Sequence, residues 1–204
     1  FAYKWLVPRL GLFHDKHPDI EVWISTSNKL INLATENFDA AIRLGAGEYS
    51  GLHSTFLLGD FVFPVCSPRL AQRLEDQLTK PADLLKQKLL YRIEDESAPT
   101  WINWFTEAGV NNPVLPKGAR FSDTNTALLA AMGEQGIALA RSSLVHDELV
   151  DGRLVKLFDV ILPSPINYYL VCPDGAENTP EITAFRDWIT EEGKKAQISY
   201  RGPS

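Results

Sequence analysis

Hydroxyl and amide side chains gather at two places where an apolar, strand-like run gives way to a helix-like one. The first is Ile20-Glu21-Val22-Trp23-Ile24-Ser25-Thr26-Ser27-Asn28, followed by Leu30, Ile31 and Leu33. The second is Gly118-Ala119-Arg120-Phe121-Ser122-Asp123-Thr124-Asn125-Thr126, followed by Ala127 to Ala131. The first N–H groups of a helix lack intrahelical partners and carry a partial positive charge. Such a turn holds a carboxylate or another anion, and Ser, Thr and Asn orient it. The same residues also serve as ordinary N-caps. In open α/β sheets ligands sit outside the carboxyl ends of strands, so two such ends, one in each of two lobes, describe a small-molecule cleft.

Other side chains have two readings each. Arg43 and Arg141 end apolar strand-like runs and can grip a carboxylate bidentately, or pair with a nearby acid such as Asp39 for Arg43. Asp123 can hold an ammonium group or complement the helix dipole. His14 and His17 form H-x-x-H without a third ligand in view, which reads as a solvated pair rather than a metal site. Trp101, Trp104 and Phe105 read as core. Cys66 and Cys172 lie in apolar runs, read as two buried free thiols, and fit a reducing cytoplasmic compartment. No Ser-His-Asp set, glycine-rich phosphate loop or carboxylate pair stands out, so the reading is not an enzyme and needs no cofactor.

These residues must be positioned by alternating elements. Helix signals cover Trp5 to His17, Leu30 to Glu36, Pro68 to Leu74, Pro81 to Lys86, Trp101 to Ala108, Ser143 to Val150 and Ile182 to Glu191. Strand signals cover Ile20 to Thr26, Ala40 to Leu44, a pair or bent strand in Ser54 to Phe63 around Gly59-Asp60, Leu89 to Arg92, Gly136 to Arg141, the region of Val155, and Tyr168 to Cys172. The alternation favours mostly parallel sheet with helices on both faces. A length of 204 residues allows one large or two small domains. The net charge of −6, with basic residues scattered among more numerous acids, argues against nucleic-acid binding by this chain alone. No apolar run approaches the roughly 20 residues of a membrane span. The opening Phe1-Ala2-Tyr3 reads as a piece of something longer, and residues 196–204 as a tail.

Several short motifs, in order, carry a resemblance. They are Asp39-Ala40-Ala41-Ile42-Arg43-Leu44-Gly45, Phe63-Pro64-Val65-Cys66-Ser67-Pro68, Pro81-Ala82-Asp83-Leu84 and Gly136-Ile137-Ala138-Leu139. Together they resemble the effector-binding domain of LysR-type transcriptional regulators. Trp5-Leu6-Val7-Pro8-Arg9-Leu10, Tyr168-Tyr169-Leu170-Val171-Cys172-Pro173 and Phe185-Arg186-Asp187-Trp188 are similar to the branch of glycine-cleavage and β-lactamase regulators. The resemblance implies a type 2 periplasmic-binding-protein fold: two α/β subdomains joined by two crossover strands, with an effector between them. It places subdomain one at 1–65 plus 167–195 and subdomain two at 66–166, with hinge residues Cys66, Ser67 and Asn167.

Carried over residue by residue, the resemblance implies effector contacts from Thr26, Ser27, Asn32, Asp123, Thr124 and Tyr168, with Arg43 and Arg141 as further candidates. It implies a homodimer or homotetramer in which the first helix and the Val22 to Ile24 strand, Trp23 included, meet a partner's second subdomain. DNA would be read by a winged helix-turn-helix ahead of residue 1, and the family's first strand would also precede Phe1. The expected function is sensing a small carboxylate or amino-acid-like effector. The alternative is a solute-binding transport protein of the same fold.

Overall fold

The computed structural model describes residues 1–27, 29–93 and 99–201, with residues 198–201 given by backbone alone. Asn28 of the first hydroxyl-rich turn, and Gly202, Pro203 and Ser204 of the expected tail, lie outside the described residues. Along the chain the elements are α1 (Leu10–Lys16), β1 (Ala41–Gly45), β2 (Leu52–Leu58), β3 (Phe61–Cys66), α2 (Pro68–Leu74), β4 (Leu89–Arg92), α3 (Trp101–Glu107), β5 (Arg120–Phe121), α4 (Thr124–Met132), β6 (Ile137–Arg141), α5 (Ser142–Val150), β7 (Val155–Lys156), β8 (Leu162–Pro163), β9 (Asn167–Pro173) and α6 (Pro180–Arg201). They fall into two compact units, Phe1–Gly59 with Ile166–Ser204, and Asp60–Pro165.

In the first unit β9 lies between β1 and β2 and runs antiparallel to both. Leu170 faces Ile42 on one side and Thr55 on the other. The core gathers Trp5, Phe13, Leu57, Leu58, Leu170, Trp188 and Ile189. Tight turns over Ala2–Leu6 and Val7–Arg9 precede α1, with Pro8 tolerated early because a first turn needs no N–H there. At Gly193 of α6, an added Cβ would lie 2.3 Å from the Leu57 carbonyl oxygen, so only glycine lets the helix come this close to β2. This helix continues past the expected end at Glu191 to Arg201, so residues 196–201 are helical rather than a tail.

Two expected elements of this unit do not form. Residues 20–26 form no strand, because a strand exists only where a neighbour takes up its backbone groups, and the sheet among the described residues offers none to this segment. Trp23 is 84% exposed there, and Val22 and Ile24 are exposed with it. Residues 30–36 give one turn instead of a helix. The Asn32 carboxamide oxygen accepts from the Ala34 amide at 3.1 Å, a local bond that competes with the helical ladder. Asn37 then adopts φ 54°, which ends the turn.

In the second unit a six-stranded sheet has the order β5-β4-β6-β3-β7, with β8 also on β3. β4 is parallel to β5 and β6, as the β4-α3-β5-α4-β6 alternation requires. β3, in contrast, is antiparallel to β6, β7 and β8. The expectation of mostly parallel sheet therefore holds only for those three strands, because strands at the ends of the unit enter and leave it in opposite directions. Its helices start where their caps dictate. Ser67 Oγ accepts from the Leu70 amide with Pro68 in the first turn of α2. Thr100 and Asn103 make a reciprocal box at the start of α3. That helix buries Trp101, Trp104 and Phe105, and both indole N–H groups are satisfied, by the carbonyls of Leu90 and Val160.

The chain changes unit between Gly59 and Asp60 and again between Pro165 and Ile166. The first change comes earlier than residues 65–67. Cys66 is paired with Val155 at the end of β3, and Ser67 caps α2, so both lie within the second unit. Asn167 opens β9, next to the second change.

Candidate functional site

The parallel strands of the second unit bring the second hydroxyl-rich turn and the end of β6 together. A cavity of about 80 Å3 lies at the carboxyl ends of β4 and β6 and the start of α4. Tyr91 and Arg92 line it from β4, Trp101 from α3, Thr124 from α4, and Leu139 and Arg141 from β6. Each position follows from local chain direction: a parallel strand delivers its last residues to one edge of the sheet, and the following helix starts there. The cavity has room for roughly five water-sized groups, enough for a carboxylate with a short chain.

Asp123 directs the start of α4. Its Oδ1 accepts from the Thr126 amide at 3.0 Å and its Oδ2 from the Thr126 hydroxyl at 2.7 Å. The Thr126 amide and hydroxyl hold its carboxyl below the usual aspartate range, with Asn125 and Ser122 adding to the effect. The expected alternative role, complementing the helix start, is thus present in the geometry. Thr124, the next residue, faces the cavity.

Arg141 is buried, and its Nε donates to Asp60 Oδ2 at 2.7 Å. The sequence reading missed this acid. Asp60 also accepts from Ser142 Oγ at 2.8 Å, Ser143 N at 3.1 Å, Ser143 Oγ at 2.9 Å and Phe61 N at 3.0 Å. The only local signal was a charged residue wedged between two apolar strand runs.

The candidates of the first unit are arranged differently. Thr26 and Ser27 are exposed on the segment that forms no strand, and Ser27 Oγ accepts from the Lys29 amide at 3.0 Å, so no helix start is formed there. Asn32 is exposed and engaged in its own turn. Arg43, in β1, donates from Nη2 to the Ile31 carbonyl at 2.8 Å and lies 5.1 Å from the Tyr49 ring centre, instead of pairing with Asp39. Tyr168 is buried in the core of this unit, its ring stacked 4.2 Å from that of Phe1.

Both cysteines are buried free thiols, and burial pushes the Cys66 thiol up to about 11. His14 is exposed, and His17 packs against the Phe13 ring. Among the described residues no group of three His, Cys, Asp or Glu side chains comes together, and no helix is long and apolar enough to cross a membrane.

Comparison with known proteins agrees on one family. The LysR substrate binding domain matches residues 1–194. The chain is 36% identical to the glycine cleavage system transcriptional activator of Escherichia coli K12 over 201 residues, covering 98% of this chain and 65% of that protein. It is 35% identical to the transcriptional activator AmpR of Citrobacter koseri, covering 94% of this chain and 64% of the other. It thus spans just under two thirds of the length of these relatives, which are transcriptional regulators, neither enzymes nor transport proteins. Among solved structures it is similar to the effector domain of the regulator AmpR of Pseudomonas aeruginosa, with 29% identity and a TM-score of 0.81 over 100% of this chain and 95% of that one. The AmpR effector-binding domain of Citrobacter freundii gives 30% identity and a TM-score of 0.78, covering 96% and 94%. These matches carry the type 2 periplasmic-binding-protein fold with them, and the chain is a member of the LysR substrate-binding-domain family.

Proposed function

We propose that this domain senses a small carboxylate or amino-acid-like effector for a LysR-type transcriptional regulator of the cytoplasm. The observation that carries the reading is the cavity at the carboxyl ends of β4 and β6, where Thr124 and buried Arg141 stand beside an apolar wall of Trp101 and Leu139. A hydroxyl at a helix start and a guanidinium suit an anionic head group; the apolar wall suits a short carbon chain. Thr26, Ser27, Asn32, Arg43 and Tyr168 of the first unit, with Asp123 of the second, are the remaining effector candidates. Of the expected hinge residues Asn167 remains proposed, since Cys66 and Ser67 are held within the second unit by β7 and α2. Binding biases DNA recognition, assigned to a winged helix-turn-helix outside this chain, by the difference in effector affinity between two states. The proposed partner is a second copy, met through α1 and the exposed segment around Trp23, as dimer or tetramer.

A thermal-shift screen against amino acids, small carboxylates and cell-wall peptides tests the reading. A ligand at about a hundredfold its Kd stabilises by about 2.7 kcal/mol. The shift is expected to shrink with Thr124→Val, which keeps the shape and removes the hydroxyl. A ligand whose shift is indifferent to Thr124→Val and Arg141→Gln binds elsewhere and overturns this site.

A further inference from the structure

Asp60 is the first residue of the second unit, and its side chain is withdrawn from solvent. Its two oxygens accept from five donors on three elements: Phe61 N at the start of β3, Arg141 Nε at the end of β6, and Ser142 Oγ, Ser143 N and Ser143 Oγ at the start of α5. A buried carboxylate persists as an anion only with such compensation. The donors come from 81 to 83 residues away in the chain, apart from Phe61. α5 has no capping side chain of its own, so Asp60 supplies its N-cap from a distance. Ser142 Oγ extends the cluster by accepting from Phe61 N at 3.1 Å.

The backbone of Asp60 closes the arrangement. Its carbonyl accepts from Ser164 N at 2.9 Å, and Pro163 pairs with Phe61. Ser164 lies one residue before the unit ends at Pro165. One residue therefore binds the entry of the chain into the unit, its exit, a helix start, and an arginine that lines the cavity.

We propose that Asp60 is a positioning residue that links Arg141 at the cavity wall to both ends of the second unit, so that a displacement of Arg141 is delivered to the residues where the chain enters and leaves. This rests on the reading of the cavity as the effector site. The backbone of Arg141 pairs with Val62 in the β3–β6 ladder, and the Asp60 carboxylate is the side-chain path from the Arg141 guanidinium to Phe61 and, through the Asp60 carbonyl, to Ser164.

Amide hydrogen exchange on the full chain tests the link without any ligand. Arg141→Met is expected to speed exchange about tenfold at Phe61, Ser143 and Ser164, the equivalent of one hydrogen bond, while the α4 amides keep their rates. Asp60→Asn is expected to give the same pattern, and the double variant to add nothing further. Arg141→Met with Phe61 and Ser164 at wild-type rates overturns the proposal, as do effects that multiply in the double variant. Ser143→Ala removes a single donor and leaves both ionic partners. Should the other variants fail to fold, it is expected to speed the Phe61 amide without altering α4, and an unchanged Phe61 overturns the proposal. The absence of any ligand in the screen above removes the sensing reading and leaves this test unaffected.

Discussion

Both carboxylate oxygens of Asp123 are engaged inside its own turn, and those bonds hold its pKa below the ordinary value of 3.8. A group with a lowered native pKa contributes stability that is complete above the unfolded value and disappears as the pH falls through the native one. Asp123→Ala is therefore expected to cost about 1 kcal/mol at pH 7, and urea melts should show the two proteins converging below pH 3.8. A gap that persists at pH 2 would remove the carboxylate from the explanation. Thr124 and Arg141 were legible because each stands beside its own strand end, where local pattern suffices. Asp60 was not, since its partners lie more than eighty residues off and nothing in a local window distinguishes it from an exposed turn acid. Tyr168 and Arg43 were legible as members of strands, but the sequence could not say that one would stack on Phe1 and the other would reach the Ile31 carbonyl.

The elements with their own punctuation appeared where the sequence put them. α2 begins at Pro68 behind the Ser67 cap and ends at Leu74, and α3 starts behind the Thr100 and Asn103 box. Residues 20–26 had the alternation of a strand, but pairing is a property of neighbours and no window of one sequence contains them. Residues 30–36 had helical spacing, and the Asn32 side chain captured the Ala34 amide first. Element packing also hid a requirement at Gly193, where α6 approaches the Leu57 carbonyl too closely for a Cβ. Gly193→Ala would gain helix propensity if the site were open. It is instead expected to destabilise by about 1–3 kcal/mol, because the obstacle is backbone rather than a flexible side chain. Chemical denaturation of the two proteins decides the sign, and a more stable variant would mean that the helix simply shifts.

At the scale of the molecule, the five tryptophans separate sharply: Trp23 is 84% exposed, while Trp5, Trp101, Trp104 and Trp188 are each at 4% or less. If a second copy covers the face around Trp23, acrylamide quenching of fluorescence should fall as protein concentration rises, and Trp23→Phe should abolish that dependence. Quenching indifferent to concentration would place the partner elsewhere. The division of the chain has a consequence for synthesis. The second unit is one uninterrupted stretch, but the first is split around it, and β9, the middle strand of the first unit's sheet, is made only after the second unit is complete. Joining β1 and β2 to β9 closes a loop of roughly a hundred residues, a cost that grows slowly with length and falls if the loop has already collapsed. During translation the later-made unit can therefore finish first, while Phe1–Gly59 waits without the middle of its sheet.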